Sequence, residues 1–294
     1  LRHLIKTKPW DFFMFVEMGT DRIHHGFWKF HDPLHIKYKQ GNPYESAIQD
    51  YYRYLDGEIG KLLSCVSEDT YILVVSDHGA KRMEGGICIN EWLLSEKYLR
   101  LKSYPDQLTS PSQLEFDWER TLAWGEGGYY GRIYLNIRGR EPMGIVPSYD
   151  APRICAELKA GLEEMKDESG KPLGTRVFYP HEIYREVQGA APDLIAYFGN
   201  LDWRSVGTVG HRSIHTREND TGPDDANHDT HGIFIMSRKQ KWEEATEDDA
   251  PGAPLPGLTL YDIAPTLLRL YGLPVPGEMQ GRPIPEVGDL PFFG

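Results

Sequence analysis

Apolar residues recur at helical spacing from Tyr44 to Val66, through Ile48, Tyr51, Tyr52, Leu55, Ile59, Leu62, Leu63 and Val66, which predicts a long amphipathic helix. On either side lie short unbroken apolar runs. Asp11 to Glu17 (DFFMFVE) reads as a buried parallel strand, and Tyr71 to Val75 (YILVV) as the next buried strand. Strand, helix and strand at this spacing form a crossover unit of an α/β sheet. The middle is less regular. Residues 80–120 hold short helical pieces and a Pro/Ser/Gln-rich loop, and Thr121 to Ile137 reads as strands broken by a glycine turn. Ala151 to Met165 predicts a helix and Ala191 to Phe198 a strand. Residues 199–227 are polar and rich in Gly, Asp and His, so they read as a long surface loop. Gly232 to Met236 is a further strand, 237–256 an exposed connection, and Leu260 to Tyr271 a helix that Pro274 and Pro276 forbid from continuing. The expected class is α/β: a mostly parallel sheet flanked by helices, with an inserted irregular α+β region. The expected division is a core part over 1–79, an inserted, cap-like region with sheet continuation over 80–225, and a return to the core over 226–294.

Composition narrows the partners. The 294 residues carry 32 basic and 44 acidic side chains, a formal charge of -12. That argues against a protein tracking the backbone of duplex nucleic acid, though bound divalent cations can reverse the local field for a small anionic substrate. No apolar run reaches 18 residues, so no membrane partner is expected. Cys65, Cys88 and Cys155 are odd in number and lack C-x-x-C spacing, which favours small buried residues and a reducing, cytoplasmic setting. The opening LRHLIKTKPW has neither an initiator Met nor the apolar core of a signal peptide, and it is expected to be an entry partway through a domain.

Three segments carry candidate chemistry. Asp21 and His25, four apart in TDRIHHGFW, share one face of a helical turn. Asp77 and His78 stand where the YILVV strand ends, and His228 lies in ANHDTHGIFI, in a loop just before another strand. Ligand sites of open α/β sheets collect beyond the carboxyl ends of strands. Imidazole nitrogens with carboxylate oxygens suit Zn²⁺ or Mn²⁺. Two such ions roughly 4 Å apart can clamp the attacking and leaving oxygens of an in-line displacement at phosphorus. Five ligands exceed one zinc site and fall short of filling two. A D-x-x-x-H pair alone is common on solvated helix faces, and Asp77 could merely cap a turn. It is the three segments in this order on an α/β pattern that single them out. His231 is an alternative to His228, and His24 to His25; the i, i+4 face favours His25.

These segments resemble the alkaline phosphatase superfamily, in its type I phosphodiesterase / nucleotide pyrophosphatase branch. MGTDRIHHGFW resembles the family's Asp-x-x-x-His segment, VVSDHG its most recognisable motif, and NHDTHGIFI its late histidine with a glycine four residues on. LTLYDIAPTLLRLYGLPVPGEMQGRPI resembles its C-terminal helix and glycine-proline tail. The resemblance implies an alkaline-phosphatase-like fold in which Asp21, His25 and His228 hold one metal and Asp77 and His78 the other, with Zn or Mn bound. It also implies a strand aspartate and a Thr or Ser nucleophile. Neither is found before Asp21, so no catalytic residue is assigned and both are expected upstream of Leu1. The implied activity is hydrolysis of phosphodiester or nucleotide pyrophosphate bonds through a phospho-enzyme, on a small phosphate-ester or nucleotide substrate. The 199–227 loop and Trp124 to Tyr130 are candidates for substrate contact. Rival readings are a phosphomonoesterase, phosphomutase or sulfatase on the same frame, and an inactive metal-binding module. A Ser-His-Asp hydrolase is disfavoured because no G-x-S-x-G elbow occurs.

Overall fold

A computed structural model of the chain describes residues 1–219, 222, 224–239, 255 and 257–285. Of the connection expected over 237–256, residues 240–254 and 256 lie outside that set. The chain divides into two compact units, Leu1–Val66 with His78–Ile233, and Ser67–Asp77 with Phe234–Gly294.

The larger unit opens with helices α1 (Arg2–Thr7), α2 (Gly19–His31) and α3 (Ala47–Leu63). The expected helix over 44–66 is thus α3. The run DFFMFVE, expected as a buried strand, has no strand structure. Phe12, Met14 and Val16 are 54, 72 and 72% exposed. A strand is made by a hydrogen-bonded neighbour, and among the described residues none of the paired strands includes this segment. Its end is nevertheless fixed. The Glu17 carboxylate accepts hydrogen bonds from the Gly19 N–H at 2.6 Å and the Tyr51 hydroxyl at 2.8 Å, tying the start of α2 to α3. A Cβ on Gly19 would fall 1.6 Å from that hydroxyl, so any side chain there would displace the Tyr51 ring and break its contact with Glu17.

The rest of this unit is built from small sheets. The chain continues through β2 (Gly79–Arg82, numbered after β1, Tyr71–Val75, of the smaller unit), β3 (Gly85–Cys88) and α4 (Ile89–Ser95). Strands β4 (Ala123–Glu126) and β5 (Gly131–Leu135) form the hairpin expected from the glycine turn, and α5 (Ala151–Glu163) is the expected helix. They are followed by β6 (Arg176–Phe178), α6 (Pro180–Ile183) and β7 (Leu194–Tyr197). One antiparallel sheet runs β4-β5-β7-β6. Its inner face packs with α4 and α5 around Ile87, Leu93, Leu135, Leu158, Leu162 and Phe198, the main apolar core.

The expected loop over 199–227 is instead largely ordered. It carries β8 (Trp203–Val206), buried along its whole length, β9 (His215–Thr216), and the start of β10 (Ala226–Asp229). Strand β3 lies between β8, which it pairs in parallel, and β9, which it pairs antiparallel. Polarity misled here because the charges are neutralised inside: Arg204 is 5% and Asp225 1% exposed, each in an ion pair. His228 also differs from expectation, lying within β10 rather than in a loop before a strand. The α/β class holds, but the sheets are small, and β3–β8 is the one parallel pair among the described strands.

In the smaller unit, β1, expected as a buried strand of a crossover unit, is a strand but is only half-buried, and it pairs antiparallel with β11 (Phe234–Arg238), Val75 opposite Phe234. Residues Leu260–Asp262 form a 3₁₀ turn leading into α7 (Ile263–Leu270). The Asp262 carboxylate accepts from the Thr259 N–H and hydroxyl and from the Arg282 N–H, closing the glycine-proline tail against the helix start. A Cβ on Gly281 would lie 1.9 Å from the Tyr261 carbonyl oxygen. No helix among the described residues is long and apolar enough to cross a membrane.

Asn90 is the polar keystone of the larger unit. Fully buried, it donates to the carbonyls of Gly125 (2.9 Å) and Gly207 (2.7 Å) and accepts from the Gly125 N–H (2.8 Å), locking β4 to the end of β8. Asn90→Ala strips partners from buried backbone groups and should cost ~3 kcal/mol. Urea denaturation checks this: the midpoint should fall with an unchanged slope.

Candidate metal centre

Helix α2 presents Asp21, His25 and Lys29 at i, i+4 and i+8, one stripe along its length. That stripe faces the segment 224–228. Lys29 makes an ion pair with Asp225 at 3.1 Å, and the Asp225 N–H donates to the His25 carbonyl at 2.8 Å. The helix is thereby held against β10. Strand β10 pairs antiparallel with β2, His228 opposite Ala80. Gly79 has a packing reason to be glycine: a Cβ there would lie 2.0 Å from the His231 carbonyl oxygen.

The result is one triangle of donor atoms. Asp21 Oδ1 lies 3.1 Å from His25 Nε2 and 3.6 Å from His228 Nε2, and the two imidazole nitrogens are 3.2 Å apart. Donors each about 2.1 Å from a tetrahedral ion stand about 3.4 Å apart. Both the spacing and the N, N, O chemistry therefore fit a divalent transition-metal ion. Among the described residues this is the one group of three or more His, Cys, Asp or Glu side chains so gathered.

The His25 ring is oriented by its other nitrogen. Nδ1 lies 2.7 Å from Asp224 Oδ1 and 3.1 Å from the Ala226 carbonyl. Both partners are acceptors only, so Nδ1 carries the proton and the neutral ring presents a lone pair at Nε2. The second Asp224 oxygen accepts from Arg204 at 2.8 Å and from Asn219 at 3.3 Å. Asp224 and Arg204 side chains are only 11% and 6% exposed. Burial opposes charging of His25, but the hydrogen bond and charge of Asp224, helped by the Asp21 charge, outweigh it and raise its pKa.

His228 is held through its ring faces. His78 stacks on it with centroids 3.6 Å apart and planes 13° apart, and Tyr129 stacks at 3.8 Å and 28°. His78 Nδ1 donates to the Gly79 carbonyl at 2.9 Å, which makes Nε2 the ligand atom of its neutral form. Asp77 is exposed, at the end of the smaller unit's first segment. Neither Asp77 nor His78 belongs to the donor triangle. His231, the alternative late histidine, is 94% exposed and outside it, and His24 turns away to stack on Tyr52.

Asp224, Arg204 and Tyr129 were not singled out in the sequence as parts of the centre. Asp224 is 199 positions from the histidine it orients, and no local spacing signals that contact. Arg204 sits in a strand whose polarity disguised it. Tyr129 fell inside the aromatic stretch Trp124 to Tyr130, which marked the region without indicating the residue.

The family model described as type I phosphodiesterase / nucleotide pyrophosphatase matches residues 2–233, a span that contains all five expected ligands. The C-terminal helix α7 lies beyond it. No curated protein and no solved structure matches the chain.

Asp224→Asn keeps the shape of the side chain but removes the charge that orients His25 and makes it a better ligand. Zn²⁺ affinity by isothermal titration calorimetry should fall roughly 10- to 100-fold, while His231→Ala should leave it unchanged. Metal binding needs neutral imidazole, so a raised His25 pKa lets protons compete sooner as pH falls. Below that pKa, wild-type affinity should drop with pH, and Asp224→Asn should shift the onset of the drop to lower pH.

Proposed function

The chain belongs to the type I phosphodiesterase / nucleotide pyrophosphatase family, and from that premise we propose that it hydrolyses phosphodiester or nucleotide pyrophosphate bonds at a divalent-metal site built on Asp21, His25 and His228. The observation that carries this reading is the donor triangle with edges of 3.1, 3.2 and 3.6 Å. A divalent ion bound there would supply Lewis-acid polarisation of a phosphoryl oxygen. The two imidazoles and one carboxylate suit Zn²⁺ or Mn²⁺.

The chain's own residues bind and orient. Asp21, at 41% side-chain exposure, is the open corner of the triangle and the side from which a phosphate ester approaches. His25 and His228 are 16% and 23% exposed and form its floor. Asp224 keeps the proton of His25 on Nδ1, so Nε2 remains available to the ion. Asp77 and His78 are proposed for a second ion, on the strength of the S-D-H-G motif after β1 and of the tautomer that Gly79 imposes on His78. The nucleophile of the proposed route is a Thr or Ser hydroxyl, a group none of these ligands supplies. With a net charge of -12 the substrate is a small phosphodiester or nucleotide rather than duplex nucleic acid.

The test is hydrolysis by the whole gene product, loaded with Zn²⁺ or Mn²⁺, of bis-p-nitrophenyl phosphate, p-nitrophenyl thymidine monophosphate, p-nitrophenyl phosphate and p-nitrophenyl sulfate. The diesters should be preferred, EDTA should abolish turnover, and His25→Ala or His228→Ala should lower it roughly 100-fold or more. Preference for the monoester or the sulfate would move the protein to a sister activity. Stoichiometric metal without turnover of any ester would make it a metal-binding module.

A further inference from the structure

We propose that Tyr129 is a positioning residue of the metal centre: its ring and that of His78 clamp the His228 imidazole between them and fix the direction in which Nε2 points. The inference rests on reading Asp21, His25 and His228 as an ion site. Its basis is the geometry of three rings. His78 and Tyr129 each lie within 4 Å of the His228 centroid and within 30° of its plane. Two rings cannot occupy the same face of a third at that distance, so they cover opposite faces. The imidazole cannot rotate about its Cβ–Cγ bond without displacing one of them. The Tyr129 ring also comes within 5.4 Å of the His25 centroid, so it walls one side of the pair of ligand imidazoles.

A clamp works only if its jaw is fixed, and the Tyr129 jaw is braced by β8. Tyr129 sits in the turn between β4 and β5. Gly128 exchanges both backbone hydrogen bonds with Ser205, each at 2.9 Å. The preceding residue allows the turn to sit this close, since a Cβ on Gly127 would lie 2.6 Å from the Gly207 nitrogen. Arg204, between Trp203 and Ser205 on the same strand, places its guanidinium 5.6 Å from the Tyr129 centroid. One strand therefore supports both ligand histidines by separate routes. Arg204 holds Asp224, which orients His25 in its plane, and Ser205 holds the turn whose tyrosine covers the face of His228. The clamp needs an aromatic face and not the hydroxyl, which separates it from a role in chemistry.

The experiment compares wild type, Tyr129→Phe, Tyr129→Leu and Tyr129→Met by two readouts that do not depend on turnover. The first is NMR of the histidine ring protons in metal-free protein, with His228→Asn to assign the His228 signals. The second is Co²⁺ titration, followed through its visible absorption, for affinity and coordination geometry. Thermal unfolding of the metal-free proteins confirms that each variant is folded, and two aliphatic variants guard against one that is not. Tyr129→Phe should match wild type in ring shifts, Co²⁺ affinity and spectrum. Either aliphatic variant should move the His228 ring protons downfield, as one ring current is lost, weaken Co²⁺ binding about 10-fold and alter the spectrum. Folded aliphatic variants that bind Co²⁺ as wild type does, with the same spectrum, would overturn the proposal. So would Tyr129→Phe losing as much as the aliphatic variants, which would assign the role to the hydroxyl. Wild-type protein that binds no Co²⁺ would instead sink the ion-site reading itself, and the positioning role with it.

Discussion

Asp224 is shared between the imidazole of His25 and the guanidinium of Arg204, and the geometry of the centre depends on that sharing. A carboxylate this buried is expensive unless it is paired and hydrogen-bonded. Arg204 neutralises it, and Arg204 is itself buried in β8, so neither partner can be withdrawn without stranding the other. The free energy that fixes the ion pair also fixes the His25 tautomer. A structural requirement, compensation of a buried charge, thereby sets a chemical property, which ring nitrogen is available as a ligand.

The same strand acts on the second histidine by a different force. His25 is oriented in its plane by directional hydrogen bonds. His228 is oriented through its faces, by contacts that are individually weak but leave no room to turn. The two modes are complementary. In-plane bonds set where a lone pair points, and stacking sets the plane in which it lies. Together with the α2 stripe that delivers Asp21, they bring three donors from parts of the chain some 200 residues apart to within 3.6 Å.

Close approach of backbones is what makes this compactness possible. Gly79 allows β2 to meet the segment at His231, and Gly127 allows the β4–β5 turn to meet Gly207. Each is a position where one methyl group would separate the elements that carry the site. The glycine of S-D-H-G is thus explained by packing, while the neighbouring His78 is placed to stack on His228.

Much of this could be read from residue order alone, because it depends on periodicity and local spacing. The amphipathic helix α3, the strand β1, the glycine-turn hairpin and the α2 face shared by Asp21 and His25 all follow from short-range pattern, and so does α/β class. The ligand candidates were legible too, since a D-x-x-x-H pair, a strand-end Asp-His and a late histidine are local strings. What pattern could not give were the properties that depend on a distant partner. DFFMFVE has the hydrophobicity of a buried strand but lies exposed, because strand formation needs a neighbour to bond. The segment 199–227 has the polarity of a surface loop, yet it holds the buried strand β8, because Arg204 meets Asp224 inside. Among five possible ligands, only tertiary structure gathers Asp21, His25 and His228 into a triangle, sets His231 out in solvent, and brings Asp224 and Tyr129 to the two rings. Sequence determined which donor chemistries were present, since those belong to single residues and their near neighbours. The fold decided which of them meet and how they are aimed, because those are relations between groups far apart along the chain.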